Sequence, residues 1–216
     1  MKKVILKRKI AQRIFNGHPW IFGNEVEAVN IDTTKIADLT TIAPGEIVDV
    51  YYHDNKFCGR GFINPKSQIL VRLLTRKKEE INEQFFYNRI AQCWKYRQQI
   101  GYTENCRLVF GEADEMPALI IDKFNDYFVI QTLAYGMEVW KPAIVKALQQ
   151  IFLPKGIYER NDVPVRELEG LPQVKGFLSE PFDTQITINE NGLKFLVDVE
   201  NGQKTGYFLD QQDNRR

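Results

Sequence analysis

Residues 193–216 constrain this chain most, because the apolar period switches within a few positions. Leu193, Phe195, Val197 and Val199 alternate with Lys194, Asp198 and Glu200, the pattern of a strand with one buried face. A turn punctuated by Gly202 and Gly206 follows. Asp210 is then placed as an N-cap, with Asp213 three residues on as a weaker stand-in for the Glu of a capping box, so a helix is predicted from Gln211. A helix of about six residues is well below the ~12–15 needed for marginal stability in water. The stretch therefore reads as the threshold of a further α/β domain that continues outside this sequence.

At 216 residues the chain has room for two small domains, and 44% hydrophobic with 12% aromatic residues supply real cores. Its charge is uneven. Residues 1–78 carry 14 Lys and Arg against 7 Asp and Glu, residues 79–216 carry 15 against 21, and the net charge is only +1. A polyanion would meet the front. Cys58, Cys93 and Cys106 form no Cys-x-x-Cys pair and are odd in number, which argues against a disulfide framework and for a reducing compartment. The run Val4-Ile5-Leu6 is cut off at Lys7, too short for a signal peptide, and no apolar segment approaches bilayer length. A cytoplasmic protein without membrane contact is expected.

Residues 1–24 hold Lys2, Lys3, Lys7, Arg8, Lys9 and Arg13 and no acid. Lys9 to Asn16 reads as a short amphipathic helix with Ile10, Ile14 and Phe15 inward, stopped by Gly17. Arg8, Lys9 and Arg13 would line its exposed flank, and His18 or Trp20 offers a ring for base stacking. Spacing alone leaves two readings open, a phosphate-tracking patch or a solvated charge run beside a core tryptophan. Ile47–Tyr52, Phe57–Ile63 and Gln68–Thr75 read as strands, with Gly59 and Gly61 marking a bulge or a close backbone approach. Short strands and turns of this kind make a small barrel.

Arg76-Lys-Lys-Glu-Glu80 marks a change of composition. Glu79 to Ile100 is the longest helical stretch, with Phe86, Ile90, Cys93 and Trp94 on one face. Strands are predicted at Arg107–Phe110, Ala118–Asp122, Tyr127–Thr132 and Ile157–Arg160, with a helix over Val139–Ile151, which gives helix on sheet. Glu112, Asp114 and Glu115 tempt a divalent-ion or acid–base reading, but no His or fourth ligand accompanies them, and a solvated loop is favoured. Asn161–Phe182 reads as a long polar loop. Asn191-Gly192 is a type I′ hairpin signal joining Ile186–Asn189 to the strand from Leu193.

Gly202-Gln-Lys-Thr-Gly-Tyr-Phe-Leu-Asp-Gln-Gln-Asp-Asn-Arg215 resembles the Gly-Gln-Lys-Thr-Gly-Phe-Phe-Leu-Asp-Gln-Arg-x-Asn-Arg signature of the S-adenosylmethionine-dependent ribosomal RNA cytosine-5 methyltransferases that carry an N-terminal PUA domain. The departures are Tyr207 for Phe and Gln212 for Arg. Gly17-His-Pro-Trp-Ile-Phe22 resembles that family's Gly-His-Pro-Trp-Val-Phe motif, Gly111 to Pro117 its Gly-Glu-x-Asp-x-x-Pro-Gly, and Val165-Arg-Glu167 with Glu169-Gly-Leu171 its Tyr-Glu-Arg and Glu-Gly-Leu stretches. The resemblance runs from Gly17 to Arg215. It implies an α+β chain with a PUA-like RNA-binding barrel at 1–75, a linking helix and central α+β domain at 76–190, and the start of a truncated Rossmann-like methyltransferase domain at 191–216.

The function implied is the RNA-binding front of a transferase that methylates cytosine C5 of large-subunit ribosomal RNA during its processing. The cofactor is S-adenosylmethionine, with Gln203, Lys204, Thr205, Gly206, Phe208 and Asp210 edging its pocket. The expected RNA contacts are Lys7, Arg8, Lys9, Arg13, His18, Arg60 and Lys66. No metal is expected, and a homodimer is left open. In the family the cofactor's glycine loop and the nucleophilic cysteine come later than the counterpart of Arg216. A pyrimidine C5 becomes nucleophilic only after a thiolate adds at C6, so this chain by itself is expected not to methylate. A stand-alone RNA-binding module without activity is the alternative. A nucleotide hydrolase fails on spacing, because a phosphate loop needs Gly-x-x-x-x-Gly-Lys-Ser/Thr and Gln203 separates Gly202 from Lys204.

Overall fold

A computed structural model describes residues 1–31 and 34–215. Among the described residues there are three sheets, of seven, five and two strands. The first is built from β1 (Lys3–Leu6), β2 (Trp20–Ile21), β3 (Val26–Ile31), β4 (Thr34–Lys35), β5 (Ile47–Tyr51), β6 (Phe57–Ile63) and β7 (Val71–Thr75), in the order β2-β7-β6-β5-β1-β3-β4. Strands β1 and β5 run parallel and the other neighbours antiparallel. Val4, Leu6, Val48, Val50, Val71 and Leu73 meet in one apolar cluster. Strands β1 and β3 go beyond what periodicity indicated, since β1 is a short apolar run bracketed by lysines. The close approach at Gly61 is made by β7: a Cβ there would lie 2.0 Å from the Arg72 carbonyl oxygen.

The predicted helix over Lys9–Asn16 contracts to α1 (Gln12–Phe15). Ala11 precedes it in an extended conformation with no side chain to cap it, so its first turn has no polar nucleus. Gly17, at φ +95°, closes it as expected. Ile14 is buried, whereas Phe15 faces outward and is 56% exposed.

The central unit comprises α2 (Glu83–Gln99), β8 (Asn105–Phe110), β9 (Leu119–Phe124), β10 (Tyr127–Thr132), α3 (Tyr135–Phe152), β11 (Gly156–Asn161) and β12 (Val174–Phe177), with sheet order β12-β11-β10-β9-β8. Helix α2 starts four residues later than periodicity indicated. Asn82 caps it by accepting from the Phe85 N–H at 3.0 Å, while the backbone carbonyl of Glu79 is held by Arg60 at 2.5 Å. Residues 161–182 are no simple loop. They contain a 3-10 turn, Pro164–Glu169, and edge strand β12, which pairs with β11.

Alternation along β10 and β11 divides this sheet between two cores. Phe128, Ile130 and Ile157 face α2 and α3, and Val129 and Tyr158 face the opposite side. That side is covered by the hairpin of β13 (Gln185–Glu190) and β14 (Leu193–Asp198), through Ile186, Ile188, Val197 and Val199. Asn191 and Gly192 have φ of +53° and +82°, as a type I′ turn requires. Leu193 departs from the expected face and is 60% exposed at the hairpin's end. Phe62 and Leu74 of the first sheet share the helix-side core, and the Phe62 ring packs on Gly136, where a Cβ would come within 2.0 Å of it.

No helix from Gln211 forms. The chain instead makes 3-10 turns at Leu209–Gln211 and Asp213–Arg215, with Asp210 exposed inside the first. Burial of Leu209 and capture of Arg215 by buried Glu190, at 2.5 and 3.0 Å, hold these turns. The side chain of Asp213, the second capping candidate, lies outside the described set. No described helix is long and apolar enough to cross a membrane.

Candidate nucleic-acid interface and cofactor loop

The basic front separates into exposed and committed cations. Lys7, Arg8 and Lys9 follow β1 and are exposed, and among the described residues they form no ion pair. Arg13 does not join them. Its guanidinium lies 2.6 Å from Glu25, donates to the Trp20 carbonyl and covers the Phe22 ring at 4.9 Å. Arg60 is likewise held by Asp49 at 2.7 and 3.2 Å, and this carboxylate raises the guanidinium's pKa against burial. Both residues tie the first sheet and its adjoining turns together and offer little to phosphate. Lys66 is exposed and rests its stem against Gly170.

His18 and Trp20 are not a free stacking pair. The His18 Nδ1 accepts from the Trp20 N–H at 3.2 Å, and the two rings meet edge to face at 5.1 Å. Trp20 Nε1 donates to Glu112 Oε1 at 2.7 Å, joining the first sheet to the acidic turn. That turn is not simply solvated. Asp114 pairs with Arg97 at 2.5 Å, and Glu115 with Arg89. Among the described residues no cluster of His, Cys, Asp and Glu could hold a metal ion. Cations that spacing did not single out are Arg76, Lys77 and Lys78, exposed beyond β7. The Lys78 ammonium sits 5.6 and 5.3 Å from the Tyr51 and Phe57 ring centres. Their signal in the sequence is the charge run Arg76-Lys77-Lys78 itself, which also marks the change of composition after β7.

The loop after β14 is filled from within. The Gly202 N–H donates to the Asp198 carbonyl at 2.9 Å, and a Cβ on Gly202 would stand 2.3 Å from that oxygen. Asp198 is held below the usual carboxylate range by the Asn201 and Glu200 backbone N–H groups. Arg160, itself buried, donates to the Val199 and Gly202 carbonyls at 3.0 Å each and pairs with Asp162 at 2.9 Å. Thr205 is fully buried and donates to Asp122 Oδ2 at 2.5 Å. Asp122 is fully buried too, and Arg107 grips its two oxygens at 2.9 and 3.0 Å.

These contacts sort the candidate cofactor residues. Thr205 is spent on Asp122, and Gly206, at φ +113°, gives the backbone its turn. Gln203, Lys204 and Asp210 remain exposed, with the Lys204 ammonium 4.4 Å from the centre of the half-buried Phe208 ring. This outward set, a cation, a carboxylate, an amide and an aromatic face, suits one rim of an amino-acid and nucleoside ligand. The backbone around it is fixed from inside.

Burial raises the thiol pKa of Cys93 and of Cys106 to about 11, with Asp114 adding to the first, and that of Cys58 is raised in the same direction. A thiol in that state is a poor nucleophile.

Residues 4–76 match a family model described as PUA-like domain. The chain is 40% identical over 204 residues to the ribosomal RNA large subunit methyltransferase I of Vibrio campbellii, covering 92% of this chain and 49% of that protein. Against the protein of the same name from Cronobacter sakazakii it is 34% identical over 218 residues, covering 99% and 53%. A structure from Streptococcus mutans, described as a candidate SAM-dependent methyltransferase, superposes with a TM-score of 0.75 at 20% identity, covering 100% of this chain and 53% of that one. A second candidate methyltransferase, solved in complex with SAH, gives 0.76 at 19%, covering 100% and 52%. The chain thus spans about half the length of the curated relatives it matches, and it shares the fold of the corresponding half of the two solved structures.

Proposed function

We propose that this chain is the RNA-gripping and cofactor-edge part of a SAM-dependent methyltransferase acting on cytosine C5 of large-subunit ribosomal RNA. The observation that carries the reading is the 40% identity to a ribosomal RNA large subunit methyltransferase across 92% of the chain. In this reading residues 1–75 bind RNA through Lys7, Arg8, Lys9 and Lys66, residues 76–190 link and brace, and residues 191–216 open the methyltransferase domain. Gln203, Lys204, Phe208 and Asp210 would hold S-adenosylmethionine, which supplies the methyl group from its sulfonium. Cys58, Cys93 and Cys106 are buried, with thiol pKa values raised. On this proposal the chain alone binds RNA and leaves it unmethylated.

Mass spectrometry of ribosomal RNA tests this directly. A strain lacking the gene should lose one 5-methylcytosine from its large-subunit RNA and regain it on complementation. Unchanged methylation would refute the proposal and favour a binding module without activity.

A further inference from the structure

The ring of Phe15 stands half in water although Ile14 beside it is fully buried. It lies flat on Tyr52, with ring centres 5.2 Å apart and 4° between the planes. The two rings come from different elements, α1 and the turn after β5, so the stack is a tertiary feature. Arg76 sits at the junction of these elements. Its guanidinium donates to the Ile14 carbonyl at 3.2 Å, the His18 carbonyl at 3.0 Å and the Cys58 carbonyl at 3.0 Å, and its charge acts on the Tyr52 hydroxyl. Arg76, its neighbour Lys77 and His53 are all exposed.

We propose that the Phe15–Tyr52 pair is a platform on which an unpaired base of RNA stacks, with Arg76 bracing the elements beneath it and the exposed Lys77 meeting the phosphate beside it. This rests on the RNA-binding reading above and adds a specific site to it. An exposed aromatic face accepts any base, because every base has a π-face, and a ring already stacked on a neighbour has little rotamer freedom left to lose. Charge chooses the occupant. Residues 1–78 carry 14 Lys and Arg against 7 Asp and Glu, which favours a polyanion over an apolar protein segment. The aromatic motif residues singled out by sequence, His18 and Trp20, are engaged with each other and with Glu112, which leaves Phe15 as the exposed large aromatic ring among the described residues of the basic front, 1–78.

The test measures binding of the 216-residue chain to a labelled single-stranded RNA of about 12 nucleotides across a salt series. Phe15→Leu keeps an apolar side chain and removes the ring, and Phe15→Trp enlarges it. The expected result is roughly 5- to 150-fold weaker binding for Phe15→Leu, with the salt slope and melting temperature unchanged and binding kept or tightened by Phe15→Trp. Equal affinity of wild type and Phe15→Leu would overturn the platform while leaving RNA binding intact. So would a loss that follows a fall in melting temperature and is not rescued by Phe15→Trp. A wild-type chain that binds no RNA at any salt concentration would overturn the RNA reading itself, and the platform with it.

Discussion

The Thr205 hydroxyl donates a hydrogen bond to Asp122 Oδ2 at 2.5 Å, joining positions 83 apart in sequence inside a fully buried pair. The contact fastens the loop after β14 to the five-stranded sheet, and Arg107 holds both oxygens of the same carboxylate, sharing Oδ2 with Thr205.

Replacing Thr205 by Val keeps the shape and deletes the donor, so a buried acceptor loses a partner. The expected cost is ~1–3 kcal/mol. Asp122→Ala should cost more, because it also strands the Arg107 guanidinium. Denaturant titration of both variants checks the order. A Thr205→Val chain as stable as wild type would show that the loop does not depend on this hydrogen bond.

A second long-range tie links the turn at Pro164–Glu169 to the first sheet. Glu169, 2% exposed, accepts from Asn64 at 2.9 Å and from Ser67 at 2.5 Å. It also lies 2.9 Å from Arg72 Nη1, a close ion contact whose angle falls outside hydrogen-bond geometry. Removing Arg72 leaves the buried Glu169 carboxylate with only the neutral donors Asn64 and Ser67, and removing Glu169 leaves the buried Arg72 without its carboxylate. Arg72→Met and Glu169→Leu should each cost about 3 kcal/mol or more. The double variant should fall short of the sum by roughly 0.5–3 kcal/mol, and strict additivity in a double-mutant cycle would exclude coupling.

What the sequence disclosed was local. Asn191-Gly192 announced its turn because both residues tolerate positive φ, and α2 and α3 announced themselves through apolar spacing. What stayed hidden depends on partners far along the chain. Nothing local to Arg13 marks Glu25 as its partner at 2.6 Å, or marks Asp49 as the partner of Arg60 at 2.7 Å. The parallel pairing of β1 with β5 carries no local mark. Asp210 has a good local claim to cap a helix, yet burial of Leu209 and the Arg215–Glu190 pair override it. At the candidate loop the glycines were legible as a turn. Which side chains face outward was not, because Asp122 claims Thr205 from across the sheet.

The division between exposed and committed cations can be measured. Lys7, Arg8 and Lys9 replaced together by Ala should flatten the dependence of RNA affinity on salt. On single-stranded RNA the log–log slope should fall by up to about 0.7 for each phosphate no longer neutralised. Arg13→Ala should instead lower stability by taking the partner from Glu25, which is 8% exposed, and change the slope little. A salt series with parallel melting curves separates the two effects. An unchanged slope in the triple variant would remove this patch from the interface.

The thiols make a pH prediction whose sign follows from burial. Cys93 and Cys106 titrate near 9.0 when unperturbed and are raised to about 11 in the fold, chiefly by desolvation. A folded-state pKa above the unfolded one gives stability that is complete below the unfolded value and drains away as pH climbs through the folded one. Unfolding free energy should therefore decline between about pH 9 and 11, and a Cys93→Ala/Cys106→Ala chain should show a shallower decline. At about pH 8 the native thiols should react slowly with iodoacetamide, whereas the chain in denaturant reacts readily. Rapid alkylation of the native chain would mean that at least one thiol is accessible as thiolate, and would return it to consideration as a nucleophile.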